Sequence, residues 1–335
     1  MANKIYDNIK NFIKNNYKGL IIIALVIFLS WYEFPYIVYK PGGIVSLEKR
    51  IEIDGGYSYD GSINMSYVSV AKGTVPMILL SYVFPNWDLE SRSAITNDNT
   101  LSDTMKLERL YMASSIDNAI MLAYKEAGKD VFITRTINNI TYITKEAKTD
   151  LQVYDELLSV DELVIHDINE LKKYINTLSA GDKVSIKVLR NNELTDCYAY
   201  IYETNDGLKI GITFLNTYEY DTNPKINIST KSSESGSSGG LMLSLAIYNK
   251  LISEDITRGK KIVGTGTIDQ DGNVGKIDGI KYKLLGAEKS NADAYLCPKD
   301  NYEEALKVKE ELKLKINIYS VQTFQDALDI LKSIN

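Results

Sequence analysis

Histidine, cysteine and proline are scarce in this sequence of 335 residues, which has one, two and six of them. A zinc site needs clustered ligands and a disulfide framework needs more cysteines, so we expect neither a metal nor disulfides. Cys197 and Cys297 lie far apart in the sequence and are predicted to be buried small hydrophobic residues. A nucleophile at Cys297 would need the single histidine, His166, which lies in another predicted domain and is expected to be an ordinary turn residue.

The sequence also lacks a basic character and a phosphate-binding loop. The net charge is −6 and no stripe of Lys and Arg stands out, so we expect no nucleic-acid partner. No Gly-x-x-x-x-Gly-Lys-Ser/Thr motif occurs, so no nucleotide partner and no cofactor are predicted. Hydrophobic residues make up 44% of the chain, enough for a core, and the length favours two domains with attachments.

One long apolar run lies near the N-terminus. Residues 1–18 form a basic segment, and residues 19–39 are mostly apolar. At about 1.5 Å per residue, residues 19–39 can cross a hydrocarbon core of about 30 Å as a transmembrane helix. Lysines before the run keep that end in the cytoplasm, which predicts a single-pass protein of the cell membrane with the rest of the chain outside. The lysines are Lys4, Lys10, Lys14 and Lys18, and the aromatic residues suited to the membrane interface are Trp31, Tyr32 and Tyr36.

Two other interpretations of this run compete with a membrane anchor. A cleaved signal peptide would need a small-x-small cleavage site, and none follows the run. A buried core helix would not combine a lysine-rich start with an aromatic end. We therefore expect the lipid bilayer to be one partner of the chain, through the N-terminal helix.

Three segments are predicted after the anchor. Residues 40–127 begin with strand-like alternation and end in a helix over 101–127, where Ser114 or Ser115 can cap a helix and Gly128 stops it. The other segments are residues 128–204, rich in strand patterns, and residues 205–335, in which strands and helices alternate. This order predicts a multidomain protein of the α+β or α/β class.

The middle segment resembles the second half of a PDZ domain. The stretches that carry the resemblance are residues 161–171, 174–175 and 181–190. A β-rich, degenerate PDZ-like domain over 128–204 would capture a peptide by strand addition. The candidate carboxylate-binding loop, residues 138–143, lacks the usual glycines, so capture of a C-terminal carboxylate is left open.

The third segment has the clearest pattern. Strands are predicted at 209–213, 225–229, 261–268, 292–297 and 315–319, and helices at 241–251, 279–290, 301–312 and 322–333. Residues 269–273 resemble the start of a calcium-binding loop. They lack the Gly and Glu that such a loop needs farther on, so we predict a plain hairpin turn.

A serine- and glycine-rich loop enters the helix predicted at 241–251. The loop reads Ser235-Gly-Ser-Ser-Gly-Gly240. A glycine-rich turn before a helix offers free backbone N–H groups and the positive end of the helix dipole, which stabilise an oxyanion. Taken alone the pattern is weak, because such turns are common and can also bind phosphate.

A second motif follows at residues 264–287, and the two motifs together resemble the Lon-type (S16) peptidase domain over about residues 205–335. The resemblance implies Ser238 as the nucleophile, Lys281 in Gly279-Ile-Lys-Tyr-Lys as its base, and Thr265 as a residue that supports the lysine. Gly236 and Ser237 would support the oxyanion site. The sequence departs from the family pattern at four positions: Ser237, Gly239, Asp278 and Tyr282.

These motifs predict an ATP-independent serine endopeptidase anchored in the membrane, which cleaves flexible or unfolded polypeptides through an acyl-enzyme. For this chemistry Lys281 must be buried enough to lose its proton, whereas Lys283 is predicted to be solvated. Two alternatives stay open: a catalytically inactive, membrane-tethered peptide-binding scaffold, and a peptidase that cleaves only itself or one partner. Homo-oligomerisation is also left open.

Overall fold

The computed structural model describes residues 2–92 and 101–334. Its helices are α1 (Ala2–Trp31), α2 (Val75–Val83), α3 (Leu101–Glu126), α4 (Ile168–Ile175), α5 (Gly240–Leu251), α6 (Ile280–Lys289), α7 (Lys299–Leu312) and α8 (Phe324–Ser333). Its first strands are β1 (Glu33–Ser46), β2 (Ile51–Ile53), β3 (Ser62–Thr74), β4 (Asp88–Ser91), β5 (Asp130–Ile143), β6 (Glu156–Val160), β7 (Leu163–Val164), β8 (Lys183–Arg190) and β9 (Glu193–Tyr200). The others are β10 (Tyr202–Thr204), β11 (Gly207–Lys209), β12 (Ile212–Asn223), β13 (Ile226–Ile228), β14 (Lys261–Gly264), β15 (Thr267–Ile268), β16 (Val274–Gly275), β17 (Ala294–Pro298) and β18 (Ile318–Val321).

One of two six-stranded sheets combines strands from distant parts of the chain. Its order is β18-β17-β14-β3-β1-β4, with β14 parallel to both β3 and β17 and with β1 antiparallel to β3 and β4. Neighbouring residues of a strand point to opposite faces of the sheet. Accordingly, Ile262 belongs to a core shared with α3, α5 and α8, whereas Val263 belongs to a core shared with α6 and α7. The result is a three-layer α/β domain.

A second sheet forms a separate domain with its own core. Its order is β12-β5-β6-β8-β9, with the short β7 paired to β6 and with α4 packed nearby. The core contains apolar side chains of these strands and of α4, among them Ile140, Leu171, Ile186 and Phe214. The chain enters this domain along β5 and leaves it along β12, and these two strands pair from Asp130↔Asn223 to Ile143↔Ile212.

The predicted domain boundaries were wrong in one respect. Residues 40–127 are not a separate segment, because β1, β3 and β4 belong to the sheet that also contains β14, β17 and β18. Leu47, Ile63 and Tyr124 pack in the same core as α5. The α/β domain is therefore made from residues on both sides of the middle domain, and residues 205–335 do not form a complete unit.

Most of the predicted elements of the third segment are confirmed, but the strands expected at 209–213 and 261–268 are interrupted at residues 210–211 and 265–266. The strands at 294–298 and 318–321 and the four helices from α5 to α8 agree with the expected ranges to within a few residues. Residues 267–275 form the expected hairpin, with the Asp269 carboxylate accepting hydrogen bonds from the amides of Asp271 and Asn273. Residues 138–143, in contrast, lie inside strand β5, so the expected carboxylate-binding loop at this place was wrong.

The N-terminal helix ends earlier than predicted. Helix α1 stops at Trp31, and residues 33–46 form β1, so the expected end at residue 39 was wrong. A stretch from Asn8 to Trp31 is long and apolar enough to cross a membrane, and none of its apolar window is buried inside the protein. This exposure excludes the alternative of a buried core helix and is consistent with membrane anchoring.

Candidate active site

The serine-rich loop reaches helix α5 through a turn that only glycine can make easily. Gly236 has φ +89°, a left-handed conformation that L side chains rarely adopt. A Cβ atom there would also lie 3.1 Å from Glu108 Oε2. Ser237, Ser238 and Gly239 follow as a tight turn, and Gly240 is the first residue of α5.

Helix α3 holds this loop in place from outside the sequence motif. The amide of Gly236 donates to the carbonyl of Glu108 at 2.9 Å, and Ser115 Oγ donates to the carbonyl of Ser237 at 2.9 Å. Ser115 is buried in the middle of α3, so the expectation that Ser114 or Ser115 caps a helix was wrong. The loop is thus attached to a helix that lies more than a hundred residues earlier in the sequence.

Thr265 connects the serine loop to a lysine. Its Oγ1 donates to the carbonyl of Ser238 at 2.9 Å and accepts a hydrogen bond from Lys283 Nζ at 3.0 Å. The amide of Gly266 donates to the same Ser238 carbonyl at 2.8 Å. Since Thr265 is fully buried, these bonds fix the position of Ser238 relative to Lys283.

Lys283 is the buried cation of this site. The residue is 3% exposed, and burial lowers the pKa of its ammonium from 10.5 to about 8, against an opposing effect of the nearby carboxylate of Asp278. An amine with a pKa near 8 is neutral in a substantial fraction of molecules at neutral to slightly alkaline pH, and a neutral amine can accept a proton.

Lys281, the predicted base, lies in a different environment. Its Nζ forms an ion pair with Asp88 Oδ2 at 2.7 Å, and its side chain is 33% exposed. Although burial alone would raise the pKa of Asp88, the hydrogen bonds from Lys281 and Tyr282 keep it below its ordinary value. The expectations that Lys281 is desolvated and that Lys283 is solvated were therefore both wrong.

The helical periodicity of α6 explains the difference between the two lysines. Ile280, Lys283, Leu284 and Ala287 follow the i, i+3, i+4, i+7 pattern of one helix face, and all four are buried. Lys281 lies about 100° away from Ile280 on the helix surface. This pattern is visible in the sequence and would have identified Lys283, whereas spacing from the serine loop alone selected Lys281.

Backbone amides at the start of α5 are free to bind an oxyanion. Within residues 2–92 and 101–334, no acceptor is paired with the amides of Ser238 and Gly239. Gly239 is the N-cap of α5 and provides no side-chain cap, so the positive end of the helix is open at this turn. The turn can therefore stabilise a negative charge that develops next to Ser238.

Two carboxylates lie beside the site; Asp278 was noted in the sequence as a departure from the family pattern, whereas Glu108 was not singled out. Burial, followed by the charge of Asp278, raises the pKa of Glu108, whose carboxylate lies against Gly236. Asp278 directly precedes Gly279, which begins α6 with φ +73°. The loop and the lysine helix are thus both close to acidic groups.

Of the other reactive residues, Cys297 is buried close to Lys283 and interacts with it electrostatically. His166 is exposed and contacts Glu170, so it takes no part in a serine–histidine arrangement with Ser238. Cys197 and Cys297 are both free thiols and buried, as expected. Among the residues that the structure describes, no group of His, Cys, Asp and Glu could hold a metal ion.

The α/β domain with its glycine-rich turn and buried lysine belongs to a known class. Residues 225–333 match the model of the Lon protease (S16) C-terminal proteolytic domain. Residues 134–198 match the model of the PDZ domain. Residues 225–333 are therefore similar to a Lon-type proteolytic domain, which suggests a serine peptidase, and residues 134–198 are similar to a PDZ domain.

Curated relatives match less than a third of the chain. The Lon protease of Campylobacter jejuni is 37% identical over 95 residues, which are 28% of this chain and 12% of that protein. The Lon protease of Clostridium beijerinckii is 34% identical over 93 residues, which are 28% of this chain and 11% of that protein. The chain thus matches only about a tenth of the length of these relatives.

Two solved structures align with the middle domain. They are the PDZ domains of SdrC-like proteins from Listeria monocytogenes and Listeria innocua, 18% and 20% identical, each covering 23% of this chain with a TM-score of 0.22. The alignments include 86% and 92% of the two solved chains.

Proposed function

We propose that this protein is a membrane-anchored, ATP-independent serine endopeptidase in which Ser238 is the nucleophile and Lys283 the general base. The observation that carries the proposal is the chain of contacts from buried Lys283 through Thr265 to Ser238. Lys283 takes the role first assigned to Lys281, because Lys283 is buried with a lowered pKa and has no carboxylate partner within the described residues, whereas Lys281 pairs with Asp88.

The reaction proceeds through an acyl-enzyme. Neutral Lys283 accepts the proton of the Ser238 hydroxyl while Oγ attacks the peptide carbonyl. The amides of Ser238 and Gly239 stabilise the tetrahedral oxyanion, and the Lys283 ammonium then gives its proton to the leaving amine. Lys283, neutral again, activates a water molecule that hydrolyses the ester and releases Ser238.

Flexible polypeptide segments outside the cytoplasm are the proposed substrates. The 335 residues contain no phosphate-binding loop that would couple cleavage to ATP-driven unfolding. The PDZ domain supplies a binding surface for extended peptides. Helix α1, with its lysines on the cytoplasmic side, holds the peptidase at the outer face of the membrane.

The proposal is tested by incubating the full-length protein in detergent with an unfolded protein and no nucleotide. The wild-type chain should cleave it, and Ser238→Ala should leave no detectable cleavage. Ser235→Ala is the matched control, because this exposed serine lies in the same loop and should leave the rate unchanged. Absence of cleavage by the wild type would instead favour the membrane-tethered, peptide-binding scaffold.

The pH dependence of cleavage should report the pKa of Lys283. Only neutral Lys283 can act as base, so kcat/KM should rise about tenfold per pH unit at low pH and level off above a midpoint near 8. Asp278→Asn removes a carboxylate that raises the pKa of Lys283, so the midpoint should move to lower pH.

Asp271→Asn serves as control for this profile, since Asp271 lies in the exposed β15–β16 turn and its change should not move the midpoint. A rate that is constant between pH 6 and 9 would contradict a lysine base with this pKa.

A further inference from the structure

Helix α2 is an apolar helix that the rest of the described protein leaves partly uncovered. Its nine residues, Val-Pro-Met-Ile-Leu-Leu-Ser-Tyr-Val, contain no charge, and none of them is buried. Leu79, Tyr82 and Val83 are 61%, 79% and 72% exposed. A helix in contact with water normally has a polar face, so one that is apolar all round needs an apolar environment.

The strand register places α2 directly beside the membrane helix. Strand β1 begins two residues after the end of α1, and β3 leads without a break into α2. Glu33 at the start of β1 is the antiparallel partner of Thr74 at the end of β3. Cα atoms of such partners lie about 4.5–5.5 Å apart, so the end of α1 and the start of α2 leave the sheet at one point, where the two helices contact each other.

The residues around α2 are those of a membrane interface. Trp31 is 84% exposed at the end of α1, and Phe84 after α2 contacts the ring of Trp87. On the strand side of both helices, Glu33 forms ion pairs with Lys72 and Arg92. Aromatic rings between an apolar helix and charged groups are typical of a surface that lies at the headgroup level of a bilayer.

We propose that α2 is a second membrane-contact element, which inserts into the outer interface of the phospholipid bilayer next to α1. This inference rests on the proposed membrane anchoring. The lysine-free end of α1, from Gly19 to Trp31, spans only about 20 Å, so a second apolar helix at its outer end adds contact where the anchor is short. Bilayer contact is favoured over a second copy of the chain because the face of α2 is continuous with the uncovered surface of α1.

Two membrane contacts at the same end of strands β1 and β3 fix the orientation of the peptidase on the membrane. Only Tyr32 separates α1 from β1, which leaves no flexible linker between the anchor and the α/β domain. The segment after α2 leads to Asp88, which binds Lys281 and Tyr282 on the helix of the proposed base. The active site is thus held at a set height above the lipid, where it meets segments close to the membrane.

Fluorescence quenching by lipids tests this inference on the full-length chain. The protein is reconstituted into vesicles of phosphatidylcholine and phosphatidylglycerol, with or without phosphatidylcholine brominated near the headgroup. Both native tryptophans are first replaced, by Trp31→Phe and Trp87→Phe. Tyr82→Trp then gives the reporter chain. Tyr57→Trp, at an exposed site near the opposite end of β1, gives the matched control chain. Emission from position 82 should be roughly halved by bromine, because an interfacial helix lies about 5–10 Å deep, and emission from position 57 should not change.

The anchor is measured separately with native Trp31 in a chain carrying only Trp87→Phe. Quenching of Trp31 without quenching at position 82 would overturn the inference while leaving the anchor in place, and this is also the result if a second copy of the chain covers α2. Absence of quenching at both positions would show that the proposed anchoring itself fails. Quenching at positions 31 and 82, but not at 57, supports the inference.

Discussion

Replacement of Lys283 by methionine is expected to abolish peptide cleavage and to raise the melting temperature of the protein. Methionine keeps most of the volume of the lysine stem but cannot accept the proton of Ser238. Loss of the base in a nucleophile–base pair lowers the rate by about 10³-fold or more, as does loss of the nucleophile. Lys283→Met should therefore be as inactive as Ser238→Ala.

The stabilising effect follows from the lowered pKa of Lys283. The pKa falls from 10.5 in the unfolded chain to about 8 in the fold, so the folded state binds the proton less tightly. The free energy of unfolding therefore rises with pH between about 8 and 10.5, and below about pH 8 the fold carries the full cost of the buried charge. At about 1.4 kcal/mol per pKa unit this cost is about 3 kcal/mol, from which the lost hydrogen bond to Thr265 subtracts about 1 kcal/mol.

Scanning calorimetry of the detergent-solubilised chain at pH 7 measures this effect. A gain of about 2 kcal/mol corresponds to a rise in Tm of roughly 4–8 °C. The rise should become smaller as the pH approaches 10, because the wild-type lysine is then neutral in the folded state and the cost of the buried charge falls away.

Lys281→Met is the matched control for both measurements. It removes a partly exposed ion pair with Asp88, worth less than about 1 kcal/mol, and leaves Asp88 with its hydrogen bond from Tyr282. Cleavage should stay within a few-fold of wild type, and the Tm should not rise. An inactive Lys281→Met beside an active Lys283→Met would instead assign the base to Lys281.

Local patterns in the sequence predicted the elements of the C-terminal part well. Apolar periodicity, glycine stops and the glycine-rich turn act over a few residues, so α5, α6 and the strand at 294–298 could be read directly. The serine loop was also recognised as a site candidate. The buried lysine was not recognised, because motif spacing was given more weight than the buried face formed by Ile280, Lys283 and Leu284.

Contacts between distant parts of the chain could not be predicted in the same way. Strand β3 pairs with β14, and the Asn64 side chain donates to the carbonyl of Ile262, 198 positions later. Ser115 binds the serine loop across a gap of 122 positions that contains the whole PDZ domain. No periodicity in one segment shows which distant strand completes its sheet, so the N-terminal part of the α/β domain was taken for a separate segment.

The α/β domain is built from both sides of the PDZ domain, and this has a second large expected effect. Deleting the PDZ domain should leave a folded chain, whereas the C-terminal segment expressed alone should not fold. Residues 205–335 expressed alone lack strands β1 and β3 and helix α3. They therefore lack part of the sheet that contains β14 and a share of the core around Tyr124. We expect this fragment to be unfolded or aggregated. Joining Thr136 to Tyr218 through an Asn-Gly turn should instead give a folded chain, because these residues are paired on β5 and β12.

The shortened β5–β12 strand pair keeps its contacts with helix α3 of the α/β domain. Asp117 on α3 still accepts hydrogen bonds from the amide of Tyr218 and the hydroxyl of Tyr220, while the separate core of the PDZ domain is removed as a whole. Circular dichroism and cooperative melting distinguish the two variants, and cleavage of a short unstructured peptide should proceed at a kcat close to wild type. The KM for long substrates should increase, because these lose their contact with the PDZ domain. A cooperative melting transition of residues 205–335 alone would mean that the strands from both ends of the chain do not depend on each other.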